Sequence, residues 1–241
     1  MPSAVDKKFH EWTQSLDTHD SMVSIFEHIR DIPYSLSVPL TDSITSSEQV
    51  LIAGKGSCGH KHYLLAEMFR KLNLSVIYAT FAFSWNDPGL HYPHSLRELA
   101  VNPPVAYHLA CRVQAGCRWI LVDATWDPPL AKAGFPANDH WDGYSETRCA
   151  VTPLTLQVQP PINKPQKIES CYRIRDEELC APDSEKNHWN EVDQARYYHE
   201  KVNVRAQGEM ELIKQFNREF DAWLDNVRLD KCHHAAEDFS E

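Results

Sequence analysis

Gly56-Ser57-Cys58-Gly59-His60-Lys61-His62-Tyr63-Leu64-Leu65-Ala66-Glu67-Met68-Phe69-Arg70-Lys71-Leu72 joins a glycine-flanked cysteine to an apolar stripe. Gly54-Lys55-Gly56-Ser57 breaks the chain, and a strong amphipathic helix starts at Cys58. Leu64, Leu65, Met68, Phe69 and Leu72 share one of its faces at helical spacing. Directly downstream, Ser75 to Phe83 (SVIYATFAF) is apolar on both faces and reads as a buried strand. Two more strands follow, Ala106 to Val113 and Arg118 to Ala124, with a hairpin turn at Ala115-Gly116. A helix packed on an antiparallel sheet is the α+β class.

Outward from this core the signals are helical at both ends. Residues 5–31 read as helical, with Asp20 or Ser21 as a cap and Val23, Phe26 and Ile29 on the apolar face; Pro33 ends the segment. Ser43 to Ile52 reads as a further short helix. From Asp127 to Pro165 the chain is rich in Pro, Asp, Asn and Gly and predicts loops, with one more strand at Thr155 to Val158. Ser184 to Val227 turns helical again, with an interruption near Gly208. The expected organisation is one domain over 1–183, N-terminal helices included, carrying a helical extension over 184–241. That extension is too short to bury a core of its own, and a surface helix packed on the domain is favoured over a lid or a partner-binding arm.

Composition narrows the function classes. Of the 241 residues, 42% are hydrophobic and 24% charged, as in ordinary globular proteins, and the net charge is −10. No Lys/Arg block stands out, so neither a nucleic acid nor an anionic membrane surface is expected as a partner. The N-terminus, MPSAVDKKFHEW, lacks the apolar core of a secretory signal, and no apolar run is long enough to span a membrane. The expectation is a cytoplasmic protein whose seven cysteines (an odd number without a CxxC) are thiols.

Three residues carry chemistry when taken together. At a helix N-terminus the backbone N–H groups favour a thiolate, so Cys58 is placed to be a nucleophile. The neighbouring glycines, Gly59 among them, let a substrate carbonyl approach, and the Cys58 N–H can face an oxyanion. His108 lies in a strand, which can hold an imidazole rigidly as general base. Asp123 closes an apolar strand, where a carboxylate can orient that imidazole. The hairpin makes His108 and Asp123 neighbours. Each signal alone is weak, but their geometry agrees.

These residues resemble the transglutaminase-like superfamily of papain-fold thiol enzymes. The resemblance rests on Gly56 to Cys58, the strand histidine and Trp119-Ile120-Leu121-Val122-Asp123-Ala124-Thr125-Trp126, and covers about Ile29 to Asp127. Ile29-Arg30-Asp31-Ile32-Pro33-Tyr34 is similar to the family's lead-in, and Asp139-His140-Trp141-Asp142-Gly143 to a segment of uncharacterised bacterial and archaeal members. It implies a papain-like core with Cys58 as nucleophile, His108 as base and acid, and Asp123 as orienter. The chain departs from the family in having Leu109-Ala110 rather than a Trp after the histidine, and in lacking a Gln at the papain-type distance before Cys58. Gln49 is therefore only a candidate oxyanion donor.

The implied reaction is acyl transfer through a thioester on a peptide, protein or small amide substrate, with no cofactor. Hydrolysis is favoured; transfer to an amine and a non-catalytic binding role are the alternatives. Trp85, Trp126 and Trp141 fall in loops at or after strand ends, where they either line a cleft or pack. Cys58-x-His60-x-His62 is not expected to bind metal, since only Cys58 and His62 converge on a helix face. Lys55 and Lys61 either face solvent or add to the field at the thiol.

Overall fold

Ser15 has a positive φ of 64°, and there the N-terminal helical segment divides into two. Helix α1 spans Ala4–Thr13 and α2 spans Thr18–Asp31. The α2 cap is Asp17, whose carboxylate accepts the Asp20 N–H at 2.8 Å, so the helix starts ahead of the Asp20 or Ser21 cap read from sequence. The computed structural model describes residues 2–103, 105–115, 118–154, 198–202 and 210–229. Its further elements are α3 (Ser43–Ala53), α4 (Cys58–Lys71), β1 (Val76–Phe83), α5 (His94–Ala100), β2 (Ala106–Ala115), β3 (Arg118–Val122), a 3-10 helix (Pro128–Ala133) and α6 (Met210–Leu229). The class is α+β. The loop reading of 127–165 missed the 3-10 helix, and α5 was missed because seven residues between prolines carry little periodicity. The strand expected at Thr155 to Val158, the interruption near Gly208 and the Gly116 half of the hairpin turn lie outside the described residues. Among the described residues no helix is long and apolar enough to cross a membrane.

The sheet is antiparallel in the order β1-β2-β3. Phe81 pairs with His108 and Cys111 with Val122. Leu109, Cys111 and Val113 face α4 and are fully buried, and the Cys111 thiol donates to the His62 carbonyl at 3.4 Å. On the other face, Phe81, Ala110 and Leu121 form a small cluster under Cys149 and Val151. Thus β1 is covered on both sides, but thinly on one, with Val76 and Tyr78 buried in one phase and Phe81 and Phe83 in the other.

Helix α4 lies between α2, α3 and the sheet, and Cys58 to Ala66 are all buried. Its polar residues survive burial because each is hydrogen-bonded. Lys61, expected beside the thiol either in solvent or as a field, is instead fully buried. Its ammonium donates to the carbonyls of Arg30 (2.9 Å), Ile32 (2.8 Å) and Thr125 (2.7 Å). Burial pushes its pKa down to about 7 against the opposing pull of Asp127, and three acceptors on three N–H bonds match the protonated form. Lys61 thereby fastens the end of α2 to the chain leaving β3. The segment before α4 is held by a parallel bridge in which Gly56 N–H donates to the Pro33 carbonyl and Ser35 N–H to the Gly56 carbonyl, both at 3.1 Å. A Cβ on Gly56 would meet the His60 Cβ at 2.9 Å, so the approach needs glycine.

Helix α6 packs on this core through Phe216, Phe220 and Leu224, at i, i+4 and i+8 and wholly buried. Its Asp221 carboxylate accepts from Leu36 N–H (2.8 Å), Ser37 N–H (3.0 Å) and Ser35 Oγ (2.6 Å). Arg228 forms a two-pronged bond to Asp127 (2.7 and 2.9 Å) and donates to the Tyr34 carbonyl. Bidentate geometry with a nearly buried carboxylate makes this pair stronger than a surface ion pair.

Candidate active site

Cys58 is the first residue of α4 and is 5% exposed. The helix start is fixed by its neighbours: Ser57 Oγ lies 2.9 Å from His60 Nδ1, and His60 Nε2–H donates to the Pro39 carbonyl at 3.2 Å. His108, on β2, neighbours the Cys58 thiol, and its influence lowers the thiol's pKa. Its Nε2–H donates to Asp123 Oδ2 at 2.8 Å, so Nδ1 is the ring nitrogen not spent on the carboxylate. The fold therefore brings Cys58, His108 and Asp123 together in that order.

The carboxylate is tightly held. Asp123 lies just beyond β3, one residue short of the strand end read from sequence. Its Oδ1 accepts Thr125 Oγ1–H at 2.6 Å and Thr125 N–H at 3.2 Å; Oδ2 also accepts Ala150 N–H at 2.7 Å. Thr147 runs beside β3, accepting Asp123 N–H and donating its own N–H to the Leu121 carbonyl, and so delivers Cys149 and Ala150 to the site. Burial opposes ionisation of Asp123, but the His108 charge and these donors outweigh it and hold the carboxyl below the usual range.

His62 decides a second point. Its Nδ1 meets the Cys58 carbonyl at 2.9 Å and its Nε2 accepts Ala124 N–H at 3.1 Å. Both nitrogens are spent on backbone, which removes the reading in which Cys58 and His62 converge on a metal. Burial pushes its pKa down to about 4. The ring is neutral, so its 3.6 Å approach to Asp123 is a packing contact rather than an ion pair. It holds the turn after β3 against α4.

The thiol and imidazole shift in opposite directions. Burial pushes the Cys58 thiol up, but the His108 hydrogen bond and charge, the Tyr198 hydroxyl and the Leu109 N–H bring it below an ordinary thiol. Burial pushes His108 down, but the Asp123 charge and hydrogen bond, with Cys58, bring it well above an ordinary imidazole. Thiolate and imidazolium are thus stabilised together.

Two residues here had no sequence signal. The Tyr198 hydroxyl lies 3.5 Å from the Cys58 sulfur, and its ring sits over Gly59, where a Cβ would meet Tyr198 Cε1 at 3.0 Å. Tyr198 is far along the chain in the helical turn 198–202, and no short-range pattern ties it to the helix start. Cys149 is half-buried; its sulfur, a His108 ring nitrogen and an Asp123 oxygen lie within 4.8 Å of one another. Replacing Tyr198 with Phe should raise the pH midpoint of Cys58 alkylation by up to about one unit, since a hydrogen bond to a charged acceptor contributes about 1.5 kcal/mol. Iodoacetamide labelling against pH, read at the Cys58 peptide, measures this; an unmoved midpoint removes the hydroxyl from the thiolate's environment.

The other sequence-predicted residues are placed as follows. Gly59 follows Cys58 under the Tyr198 ring. Gln49 is on α3, its amide oxygen accepting from Thr41 Oγ1 at 3.3 Å. Trp141 packs against Phe26 and Phe69, with its Nε1–H on the Ser145 carbonyl. Trp85 and Trp126 line a cavity of about 220 Å³ with Phe83, Leu90, Phe135 and Ala150. Trp126 Nε1–H donates to the Ala150 carbonyl at 2.7 Å, so cavity and carboxylate share a wall.

No family model matches the chain, and none of the curated proteins does. Among solved structures it is similar to "a Putative Cysteine Protease from Cytophaga hutchinsonii", at 18% identity and a TM-score of 0.35. That match covers 52% of this chain and 38% of the other, so the chain spans well under half the length of the protein it resembles.

Proposed function

We propose that the chain is a thiol acyl-transfer enzyme in which Cys58 attacks an amide or ester carbonyl, most readily to hydrolyse a peptide or amide bond. The observation that carries this is a buried imidazole that is hydrogen-bonded to a buried carboxylate and lowers the pKa of a helix-start thiol beside it. The Cys58 thiolate attacks the carbonyl carbon, and the charge on the carbonyl oxygen faces the Cys58 N–H at the start of α4. The carbon–nitrogen bond breaks as His108 gives its Nδ1 proton to the leaving amine, leaving a thioester on Cys58. Water, deprotonated by His108, then attacks the thioester and restores the thiol. Asp123 keeps the ring's Nε2 protonated throughout, so Nδ1 is the nitrogen that exchanges protons.

The cavity beside Asp123 is smaller than a site for a whole drug-sized ligand. It has room for one apolar side chain of a substrate, lodged against Trp85 and Trp126. The test is a panel of peptide, amide and ester acyl donors incubated with and without primary amines, with intact-mass detection of the acyl-enzyme. The expected result is an adduct on Cys58 and released acid. Amide products formed with added amines would select the transferase reading. No adduct and no turnover across the panel would leave the fold as a binding protein.

A further inference from the structure

We propose that Cys149, His108 and Asp123 form a site for a zinc-class divalent cation, which on binding shuts the thiol chemistry off. A sulfur, a ring nitrogen and a carboxylate oxygen, all within 4.8 Å of one another, are the donor types that such ions take. Nε2 and Oδ2 stand 2.8 Å apart and would open to about 3.3 Å as two ligands of one tetrahedral ion. Movement of the Cys149 sulfur by about an ångström or two would complete three ligands at the ~2.0–2.3 Å that zinc requires. Cys149 is half-buried, between exposed Arg148 and buried Ala150, and gives the ion a way in. A fourth position is left for water.

Binding replaces the His108–Asp123 hydrogen bond. The Cys149 thiol proton and the His108 Nε2 proton leave to solvent, and two anionic ligands balance the ion's charge. His108 then holds one proton, on Nδ1. That proton is the one taken from the Cys58 thiol, and giving it to a leaving amine would turn the ring into an imidazolate. The pairing through Cys149 differs from the Cys58-x-His60-x-His62 pattern, whose histidines are committed to backbone and to Ser57. The inhibition rests on the thiol reading of Cys58; the ion site does not.

Cobalt(II) distinguishes the two. Chelator-treated full chain is expected to bind one equivalent of Co²⁺ with a thiolate-to-cobalt charge-transfer band. Cys58→Ser should keep the band. Cys149→Ser should lose it and weaken binding at least about tenfold, as loss of a ligand demands. His108→Gln, checked for an unchanged melting transition, serves as the second ligand variant and should lose binding likewise. With any substrate from the acyl-donor panel, Zn²⁺ should inhibit wild type reversibly to chelator, with Cys149→Ser at least about tenfold less sensitive. A band that persists in Cys149→Ser, or disappears in Cys58→Ser, overturns the site. Chain without turnover that still shows the cobalt pattern keeps the ion site and overturns the enzymatic reading alone.

Discussion

Cys58→Ala is expected to lose acyl transfer by about a millionfold, the scale seen when a covalent nucleophile is removed from a triad. Cys149→Ala should keep most of the wild-type rate. Both sulfurs lie near His108, so proximity does not choose between them. Environment does. Cys58 begins a 14-residue helix, where peptide dipoles and free N–H groups favour an anion, and the Leu109 N–H and Tyr198 hydroxyl add to it. Cys149 lies in an irregular segment, with no helix N-terminus to favour an anion. Two measurements decide. Steady-state rates of the two variants on the same acyl donor give the first. Competitive iodoacetamide labelling near neutral pH gives the second, with Cys58 expected to label fastest. A Cys149→Ala protein as inactive as Cys58→Ala would move the nucleophile to Cys149, with Cys58 as a helix-start residue only.

What the sequence disclosed is what lies within one or two elements. The helix from Cys58 and the β2–β3 hairpin, with His108 and Asp123 just beyond the open end of its ladder, are local patterns of period and turn. The parts that make the site work come from farther away. Thr147 and Ala150 fix Asp123, Tyr198 covers the thiol, and Arg228 ties α6 to Asp127 across 101 positions. None has a neighbour in sequence that announces it. Lys61 stays open in sequence between solvent and the field at the thiol, yet α4 is enclosed, and the hydrogen bonds of His60, Lys61 and His62 are what let it be enclosed. A polar residue type alone does not separate a solvated position from a buried, satisfied one. Trp141 reads the same way from sequence as Trp126, and only packing sends one to Phe26 and Phe69 and the other to the cavity wall.

Asp123→Asn is expected to lower turnover by about four orders of magnitude while keeping the shape of the site. An amide has one acceptor oxygen where the carboxylate had two. If that oxygen keeps the two Thr125 donors, the amide N–H₂ faces His108 Nε2 and Ala150 N–H. The ring must then accept at Nε2 and carry its proton on Nδ1, so it cannot take the proton of the Cys58 thiol. If the oxygen turns to His108, the N–H₂ meets the Thr125 N–H instead, leaving two buried donors in opposition. Either way a buried charge pair loses a partner, which costs about 3–5 kcal/mol. The cost has a pH signature. The folded-state pKa of Asp123 is depressed, so its contribution is complete above the unfolded value of about 4 and is lost as pH falls through the folded value. That of His108 is raised, so its contribution is complete below the unfolded value of about 6.5 and is lost as pH rises through the folded value. The stability gap between wild type and Asp123→Asn should therefore be widest between about pH 4 and 6.5 and narrow on both sides. Urea denaturation of both proteins across this range measures it. A gap independent of pH would mean that Asp123 acts as a neutral hydrogen-bonding residue and that His108 is not held as its charged partner.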